Sequence, residues 1–193
     1  MKTEIYFVRH AHSIYTPEEL TRPLSEKGMR DARRVNRILE SENLDHVVSS
    51  PFLRAVQTVE GTASSLNQDV ILIEGFRERL LSSAPIDDFQ GAIQKVWEEP
   101  SFYWEGGESN VDAQKRGVAA LLDLLNEFEG KRVVVGTHGN IMVLIMNYFD
   151  SKYGLAFWES LDMPDVYRLT FNGIDLVGVS RLWEPFSEEE ESQ

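Results

Sequence analysis

Two histidines, two arginines and one glutamate each follow soon after a short apolar run in the sequence. These residues are Arg9 and His10 after residues 5–8, Arg54 after residues 47–48, Glu78 after residues 70–73, and His138 after residues 133–135. Taken singly, each would be interpreted as an ordinary surface or turn residue. Short apolar runs are typical of buried strands, and ligands of parallel sheets bind beyond the carboxyl ends of the strands. We therefore expect the five side chains to lie together.

These five side chains are the parts that phosphoryl transfer through a histidine requires. A neutral imidazole nitrogen attacks phosphorus when a hydrogen bond at its other nitrogen fixes the tautomer. Two guanidinium groups hold the nonbridging oxygens and offset their charge, and a second histidine, when protonated, donates there as well. A carboxylic acid then protonates the departing ester oxygen and later activates water. No metal ion or other cofactor is needed, because the arginines take the place of magnesium.

Strand and helix signals alternate along most of the chain. They predict strands near residues 5–8, 47–48, 70–73 and 133–135, helices near residues 26–42, 51–66, 111–128 and 140–149, and a hairpin or paired edge strands at residues 166–171 and 176–182. This order predicts an α/β fold, a three-layer α/β/α sandwich with a mostly parallel central sheet. The edge of that sheet would carry the five side chains.

Residues 77–108 are the least regular part of the sequence, since prolines and a glycine pair interrupt them. Apart from a helical piece at residues 89–97, we expect an irregular excursion near the site. Residues 1–186 are expected to form a single domain. Residues 187–193 include four consecutive glutamates and are expected to form an acidic, disordered tail.

Composition limits the class of protein. The 193 residues include no cysteine, which excludes disulfides, thiolate metal sites and a cysteine nucleophile. The formal net charge of −13 argues against nonspecific binding to nucleic acid or to an anionic membrane, because both require a basic surface. With no targeting segment and no apolar stretch near the ~20 residues that span a bilayer, a cytoplasmic protein is expected. The expected partner is a small phosphorylated substrate, and the oligomeric state is not predicted.

Several motifs together resemble the histidine phosphatase superfamily, which includes cofactor-dependent phosphoglycerate mutase and many broad-specificity phosphatases. They lie at residues 8–13, 23–28, 49–58, 107–109 and 137–140, and they read VRHAHS, PLSEKG, SSPFLRAVQT, GES and THGN. The resemblance covers nearly the whole chain, and it implies the same α/β fold. It also implies that His10 is the phosphorylated nucleophile, that Arg9, Arg54 and His138 form the phosphate pocket, and that Glu78 is the proton donor.

The sequence departs from the mutases of that superfamily in several places. Ala11 follows the nucleophile where glycine is usual, which is tolerable if its φ stays negative. Thr16 stands where the mutases carry asparagine, and its hydroxyl is a candidate phosphate donor, as is Gly139 beside His138. The mutase pattern is lost after Arg79, and the chain lacks much of the substrate-enclosing insertion. Because a mutase must keep water from its phosphoenzyme, these departures favour hydrolysis. A metal-independent phosphomonoester hydrolase of the acid type (EC 3.1.3) is the prediction.

The sequence leaves alternatives to the predicted function and to the predicted proton donor. The alternative functions are a phosphoglycerate mutase-type phosphotransferase and a non-catalytic regulatory member of the superfamily. A zinc site using His10 and His12 is a further alternative, although His46 gives no clear third ligand. At the level of the proton donor, Glu108 is the rival of Glu78, whereas Arg116 is expected to form ion pairs.

Overall fold

The computed structural model describes residues 1–184, and that part of the chain forms a six-stranded sheet with helices on both faces. The strands are β1 (Lys2–Arg9), β2 (His46–Ser49), β3 (Ile71–Leu72), β4 (Arg132–Thr137), β5 (Asp165–Asn172) and β6 (Asp175–Arg181). Their order in the sheet is β3-β2-β4-β1-β5-β6. The first four are parallel, whereas β5 runs antiparallel to both β1 and β6. The predicted α/β fold with a mostly parallel sheet is confirmed.

Six α-helices accompany the strands in the described part of the chain. They are α1 (Glu26–Leu39), α2 (Leu53–Ser65), α3 (Phe89–Glu98), α4 (Asn110–Glu127), α5 (Gly139–Phe149) and α6 (Leu155–Glu159). Two of them begin at serine caps: Ser25 Oγ accepts a hydrogen bond from Gly28 N at 3.0 Å, and Ser109 Oγ accepts one from Asp112 N at 3.0 Å. Such caps satisfy N–H groups that have no partner inside the helix.

Successive residues of β1 pack into different layers of the core. Ile5 and Phe7 lie in the cluster that includes side chains of α4 and α5, whereas Tyr6 and Val8 lie in the cluster with α1 and α2. All four side chains are fully buried. Because helices cover both faces of this central strand, its sequence is continuously apolar rather than alternating. The three layers therefore follow directly from the composition of the strand.

The predicted elements agree with the structure except where an element is short. The third strand keeps only Ile71 and Leu72, both exposed at the edge of the sheet. Helix α6 was not predicted, and neither were the 3₁₀ turns at Glu40–Glu42 and Glu74–Phe76. The terminal strands form the predicted hairpin, in which Gly173 adopts a φ of 61° at the turn.

The predicted excursion contains one helix, α3, and is otherwise irregular over residues 77–108. Two of its aromatic rings pack edge to face, with the ring centroids of Phe102 and Trp104 4.7 Å apart. The predicted acidic tail, residues 187–193, lies outside the described residues. Among residues 1–184 there is no helix both long enough and apolar enough to cross a bilayer.

Candidate active site

The loops that follow β1, β2 and β4 meet at the carboxyl edge of the sheet. His10 N donates to Thr137 O at 2.9 Å, and Ser50 N donates to Gly136 O at 2.8 Å. These main-chain bonds extend the strand pairing past the strand ends, so the residues that follow lie side by side. The structure therefore brings His10 and His138 to one place, with ring centroids 5.2 Å apart.

His10 is held in one tautomer. Its Nδ1 lies 2.8 Å from the carbonyl oxygen of Ala11, and a carbonyl can only accept, so Nδ1 carries the proton. At the opposite side of the ring, Nε2 accepts a hydrogen bond from Arg54 Nε at 3.3 Å. Both contacts leave the lone pair on Nε2. This nitrogen is therefore the nucleophilic one.

The surroundings of His10 also keep the ring neutral. Burial, together with the charges of Arg54, Arg9 and Arg22, lowers the pKa of His10 to about 3, although the hydrogen bond to Ala11 acts in the opposite direction. An imidazole with so low a pKa retains its lone pair throughout the neutral and mildly acidic range. The ring is therefore neutral and keeps a nucleophilic nitrogen over that whole range.

His138 lies fully buried beside His10. Its Nε2 is 2.8 Å from Ser50 Oγ, and its Nδ1 has no hydrogen-bond partner within the described residues. Burial lowers the pKa of His138 well below its ordinary value, and the charges of nearby arginines act in the same direction. The neutral ring is thus favoured. The charged donor considered from the sequence would need the negative charge of a phosphate group close by.

Arg9 is held where β1 ends. Its Nη1 donates to the carbonyl oxygens of Leu161 and Asp162 at 3.2 and 3.1 Å, while its buried Nε has no partner among the described residues. Burial lowers the pKa of Arg9, and the carboxylates of Glu78 and Asp165 oppose that shift. One part of the guanidinium is therefore anchored, and another part is left with an unsatisfied donor.

Gly139 lies against the guanidinium of Arg9. A Cβ placed on Gly139 would lie 2.9 Å from Arg9 Nε and 3.1 Å from its Cζ. Such distances are too short for ordinary contacts, so a larger residue would move Arg9. The close approach of Arg9 is therefore the reason that glycine is required at the start of α5.

We predict that Gly139→Ala lowers kcat/KM by about 10- to 100-fold, because we expect Arg9 to bind substrate, and small displacements of a binding group cost rates of this order. The matched control is Gly61→Ala on α2, where the added Cβ would meet Asn36 Cβ at an ordinary 3.7 Å. Steady-state kinetics of both variants checks this. Equal activities in the two variants would contradict the role given to Gly139.

Arg54 is almost completely buried at the start of α2. Besides its contact with His10, it donates from Nη1 to the carbonyl oxygen of Glu19 at 2.9 Å, and its Nη2 lies 3.2 Å from Glu19 Oε2. Burial lowers the pKa of Arg54, and the carboxylates of Glu19 and Glu78 oppose the shift. Arg54 was predicted from the sequence, whereas Glu19 was not, because it lies in an irregular loop without periodicity.

A buried hydroxyl connects the loop after β1 to α2. Thr58 Oγ1 accepts from Ala11 N at 3.0 Å and donates to Arg54 O at 2.7 Å. Within residues 1–184, the non-glycine residues with positive φ are Asn43 and Asn67, so the φ of Ala11 is negative, as its methyl group requires. The alanine that replaces the usual glycine therefore introduces no backbone strain.

Glu78 lies at the amino end of α5. Its Oε1 accepts hydrogen bonds from Arg79 N at 2.8 Å and Ile141 N at 3.1 Å, and its Oε2 accepts one from Asn140 N at 3.1 Å. These bonds hold the carboxylate at the first turn of α5, whose residues directly follow His138 in the sequence. Arg79 itself is buried, and its Nε and Nη1 have no partner within the part of the chain that the structure describes.

Glu108, the rival proton donor, is already engaged. Arg116 binds its two carboxylate oxygens, with Nε at 2.8 Å from Oε1 and Nη2 at 2.7 Å from Oε2. The same arginine donates to the carbonyl oxygens of Gly75 and Arg77 at 2.8 and 3.1 Å. The pair therefore ties the end of the excursion to α4, which is the ion-pair role expected of Arg116.

Three further polar residues from the sequence analysis point elsewhere. Thr16 Oγ1 donates to Glu18 O at 3.2 Å within its own loop. The ring of His12 lies 2.8 Å from Ser25 Oγ at the cap of α1, and the ring of His46 packs on Phe128 with centroids 4.5 Å apart. Among residues 1–184 there is no cluster of three or more His, Cys, Asp or Glu side chains that could hold a metal ion.

Three residues of the site escaped the sequence analysis as functional residues. Ser50 follows β2 directly and contacts His138, so its position after a strand was an available signal. Thr58 lies one turn after Arg54 on α2, a spacing that places it on the same face. Arg22 has no such signal. Its Nη2 binds Thr16 O at 3.3 Å and the carboxylate of Glu19, and its Nε is buried without a partner among the described residues.

Comparison with known proteins gives a consistent result. Residues 5–176 match the family described as the histidine phosphatase superfamily, branch 1. The sequence is 27% identical over 159 residues to phosphoglycerate mutase-like protein 4 of Arabidopsis thaliana, which covers 72% of this chain and 67% of that protein. It is 29% identical over 148 residues to phosphoserine phosphatase 1 of Hydrogenobacter thermophilus, which covers 70% of each.

The fold is likewise similar to that of solved structures. A mycobacterial glucosyl-3-phosphoglycerate phosphatase superposes with a TM-score of 0.74 over 94% of this chain and 97% of that chain. The two sequences are 21% identical, so this likeness concerns the fold alone.

Proposed function

This chain belongs to the histidine phosphatase superfamily, and from that premise we propose that it is a phosphomonoester hydrolase working through a phosphohistidine at His10. The relatives named above include phosphatases, which supports a phosphatase in general terms. The proposed site consists of His10 as nucleophile, Arg9, Arg54 and His138 as phosphate ligands, and Glu78 as proton donor and acceptor. Gly139 lies against Arg9, and its N–H is a further candidate donor. Thr16 would have to turn from Glu18 to take part.

The observation that carries the proposal is the single tautomer of His10. Its Nδ1–H is bound to the Ala11 carbonyl oxygen, and its Nε2 lone pair faces Arg54 at 3.3 Å. A histidine that serves only the core has no need of a guanidinium at its free nitrogen. An arginine in this position holds a phosphate oxygen while the nitrogen attacks phosphorus.

In the first step of the proposed reaction, Nε2 of His10 forms a bond to phosphorus and the bond from phosphorus to the ester oxygen breaks. The guanidinium groups of Arg9 and Arg54 offset the negative charge of the nonbridging oxygens. A protonated Glu78 gives its proton to the departing oxygen, so that an alcohol leaves rather than an alkoxide. The products of this step are the alcohol, phospho-His10 and the Glu78 carboxylate.

In the second step, water attacks the phosphorus of phospho-His10. The Glu78 carboxylate takes a proton from this water, the nitrogen–phosphorus bond breaks, and its electron pair returns to Nε2. Inorganic phosphate leaves, and both side chains are again in their starting forms. The bond from Nδ1–H to Ala11 O persists throughout, so the ring does not rotate between the steps. Because arginines supply the positive charge, we propose that neither step needs a metal ion.

Transfer of the phosphoryl group to a second substrate, as in a mutase, is the second candidate. Several relatives carry phosphoglycerate mutase names, the Arabidopsis thaliana protein among them, which supports this candidate. The loss of the mutase pattern after Arg79 and the lack of much of the substrate-enclosing insertion favour water as the acceptor. The net charge of −13 also disfavours substrates that carry many negative charges.

A panel of phosphate monoesters tests hydrolysis against transfer. It should include 3-phosphoglycerate, with and without bisphosphoglycerate, together with phosphoserine, sugar phosphates and p-nitrophenyl phosphate. We expect inorganic phosphate to be released from several esters at acidic to neutral pH. Conversion of 3-phosphoglycerate to 2-phosphoglycerate without phosphate release would instead establish the mutase. Failure to act on any ester would support a regulatory member of the family.

A further inference from the structure

The loop between β1 and α1 places a carboxylate on the arginines of the proposed phosphate pocket. Glu19 Oε2 lies 3.2 Å from Arg54 Nη2, and the other oxygen of the same carboxylate contacts Arg22. Arg54 in turn contacts Nε2 of His10. The carboxylate is therefore separated from the nucleophile by a single guanidinium group, and it uses donors that a phosphate group would need.

Arg22 faces the same region. Its side chain is 15% exposed, and its buried Nε has no hydrogen-bond partner among the described residues. The positive charge of Arg22 is close enough to lower the pKa of both His10 and Arg54. None of the superfamily motifs quoted above assigns a role to this arginine.

We propose that Arg22 is a third guanidinium ligand of the substrate phosphate, and that the Glu19 carboxylate is an internal anion which the phosphate displaces from Arg22 and Arg54. The proposal rests on the phosphatase function proposed above and names a specificity-determining pair within it. A dianion carries twice the charge of the carboxylate, so it is the stronger partner for a cluster of arginines.

The local structure allows the carboxylate to leave while the loop stays in place. The main chain of the loop is anchored separately, because Glu19 O accepts from Arg54 Nη1 at 2.9 Å and Leu20 O accepts from Leu53 N at 2.9 Å. The Glu19 side chain is 48% exposed, so water can solvate its carboxylate after it leaves. A side-chain rotation is thus sufficient to uncover the two arginines.

The same geometry gives a preference among ligands. With Glu19 in place, its carboxylate partly neutralises Arg22 and Arg54. A singly charged ligand that displaces it only replaces one negative charge with another, so its binding free energy improves little. A phosphate dianion brings two negative charges to the two arginines and therefore binds more strongly. The pair therefore selects phosphate monoesters over carboxylates and over singly charged phosphate diesters.

The test measures binding of inorganic phosphate to the full chain by titration calorimetry, together with kcat and KM on p-nitrophenyl phosphate. Glu19→Gln keeps the shape and removes the charge. We expect it to tighten phosphate binding and lower KM by about two- to fivefold, the range that an exposed ion pair contributes. Arg22→Gln should weaken phosphate binding by about tenfold or more, because a charge-assisted contact is lost. The controls are Glu18→Gln and Arg33→Gln, each of which removes the charge of an exposed side chain.

The outcomes separate this proposal from the proposed function. Weaker or unchanged phosphate binding by Glu19→Gln would overturn the displacement, since it would mean that Glu19 only positions Arg54. Unchanged binding by Arg22→Gln would overturn its role as a ligand. In either case normal hydrolysis by the unmodified chain would leave the phosphatase proposal intact. If the unmodified chain neither bound phosphate nor hydrolysed the ester, both proposals would fall.

Discussion

His10→Ala is expected to abolish phosphate release, with kcat lower by about 10⁴-fold or more, the order found when a catalytic nucleophile is removed. The physical reason is that the variant loses His10 Nε2, the ring nitrogen that Arg54 Nε faces at 3.3 Å. His138 lies beside it, but its Nε2 is engaged with Ser50 at 2.8 Å. Stopped assays with an excess of variant enzyme measure the residual rate.

The control for this variant is His46→Ala. His46 lies at the start of β2, the end opposite the site, and packs on Phe128. The His46→Ala variant should keep its activity, and circular dichroism can verify that it is folded. A His10→Ala protein with native spectra and undiminished turnover would show that the nucleophile has been assigned to the wrong residue.

Glu78→Gln is expected to slow esters of aliphatic alcohols by about 10²–10⁴-fold, the usual contribution of general acid catalysis. It should slow p-nitrophenyl phosphate far less, because nitrophenolate leaves without needing a proton. The amide can no longer donate a proton to the leaving oxygen. The measurement is kcat/KM for a series of esters whose alcohols differ in acidity, compared between the variant and the unmodified chain.

Glu108→Gln is the matched comparison for this series, since it removes the other candidate carboxylate. Its partner Arg116 holds both oxygens of Glu108, so we expect its rates to depend on the leaving group as in the unmodified chain. If Glu108→Gln lost activity selectively on poor leaving groups while Glu78→Gln did not, the proton donor would have to be reassigned to Glu108.

Residues that directly follow strands were predictable from the sequence. The apolar runs that become β1 and β4 are continuous, and the residues after them are His10 and His138. Because parallel strands end at one edge, linear order alone indicated that these rings would meet. Glu78 was harder, since it follows a strand of two residues and a 3₁₀ turn, and its contact with α5 depends on how that turn packs.

Contacts made by loops could not be predicted from the sequence. Glu19 reaches Arg54 across 35 positions from a loop that has no periodic pattern. Arg79 is buried although it lies in the irregular residues 77–108, where no periodic pattern predicts burial. Helix α6 has only five residues, too few for a helical period to appear. In irregular segments the contacts of a side chain depend on how the loops pack, and residue types alone do not determine them.

The most direct test of the account is detection of the covalent intermediate. The unmodified chain is mixed briefly with an ester labelled with ³²P, quenched with denaturant in alkali, and separated from free phosphate. We predict label on the protein that is stable in alkali, is lost in acid, and is absent from His10→Ala. Product formation without any such label on the protein would contradict a phosphohistidine mechanism.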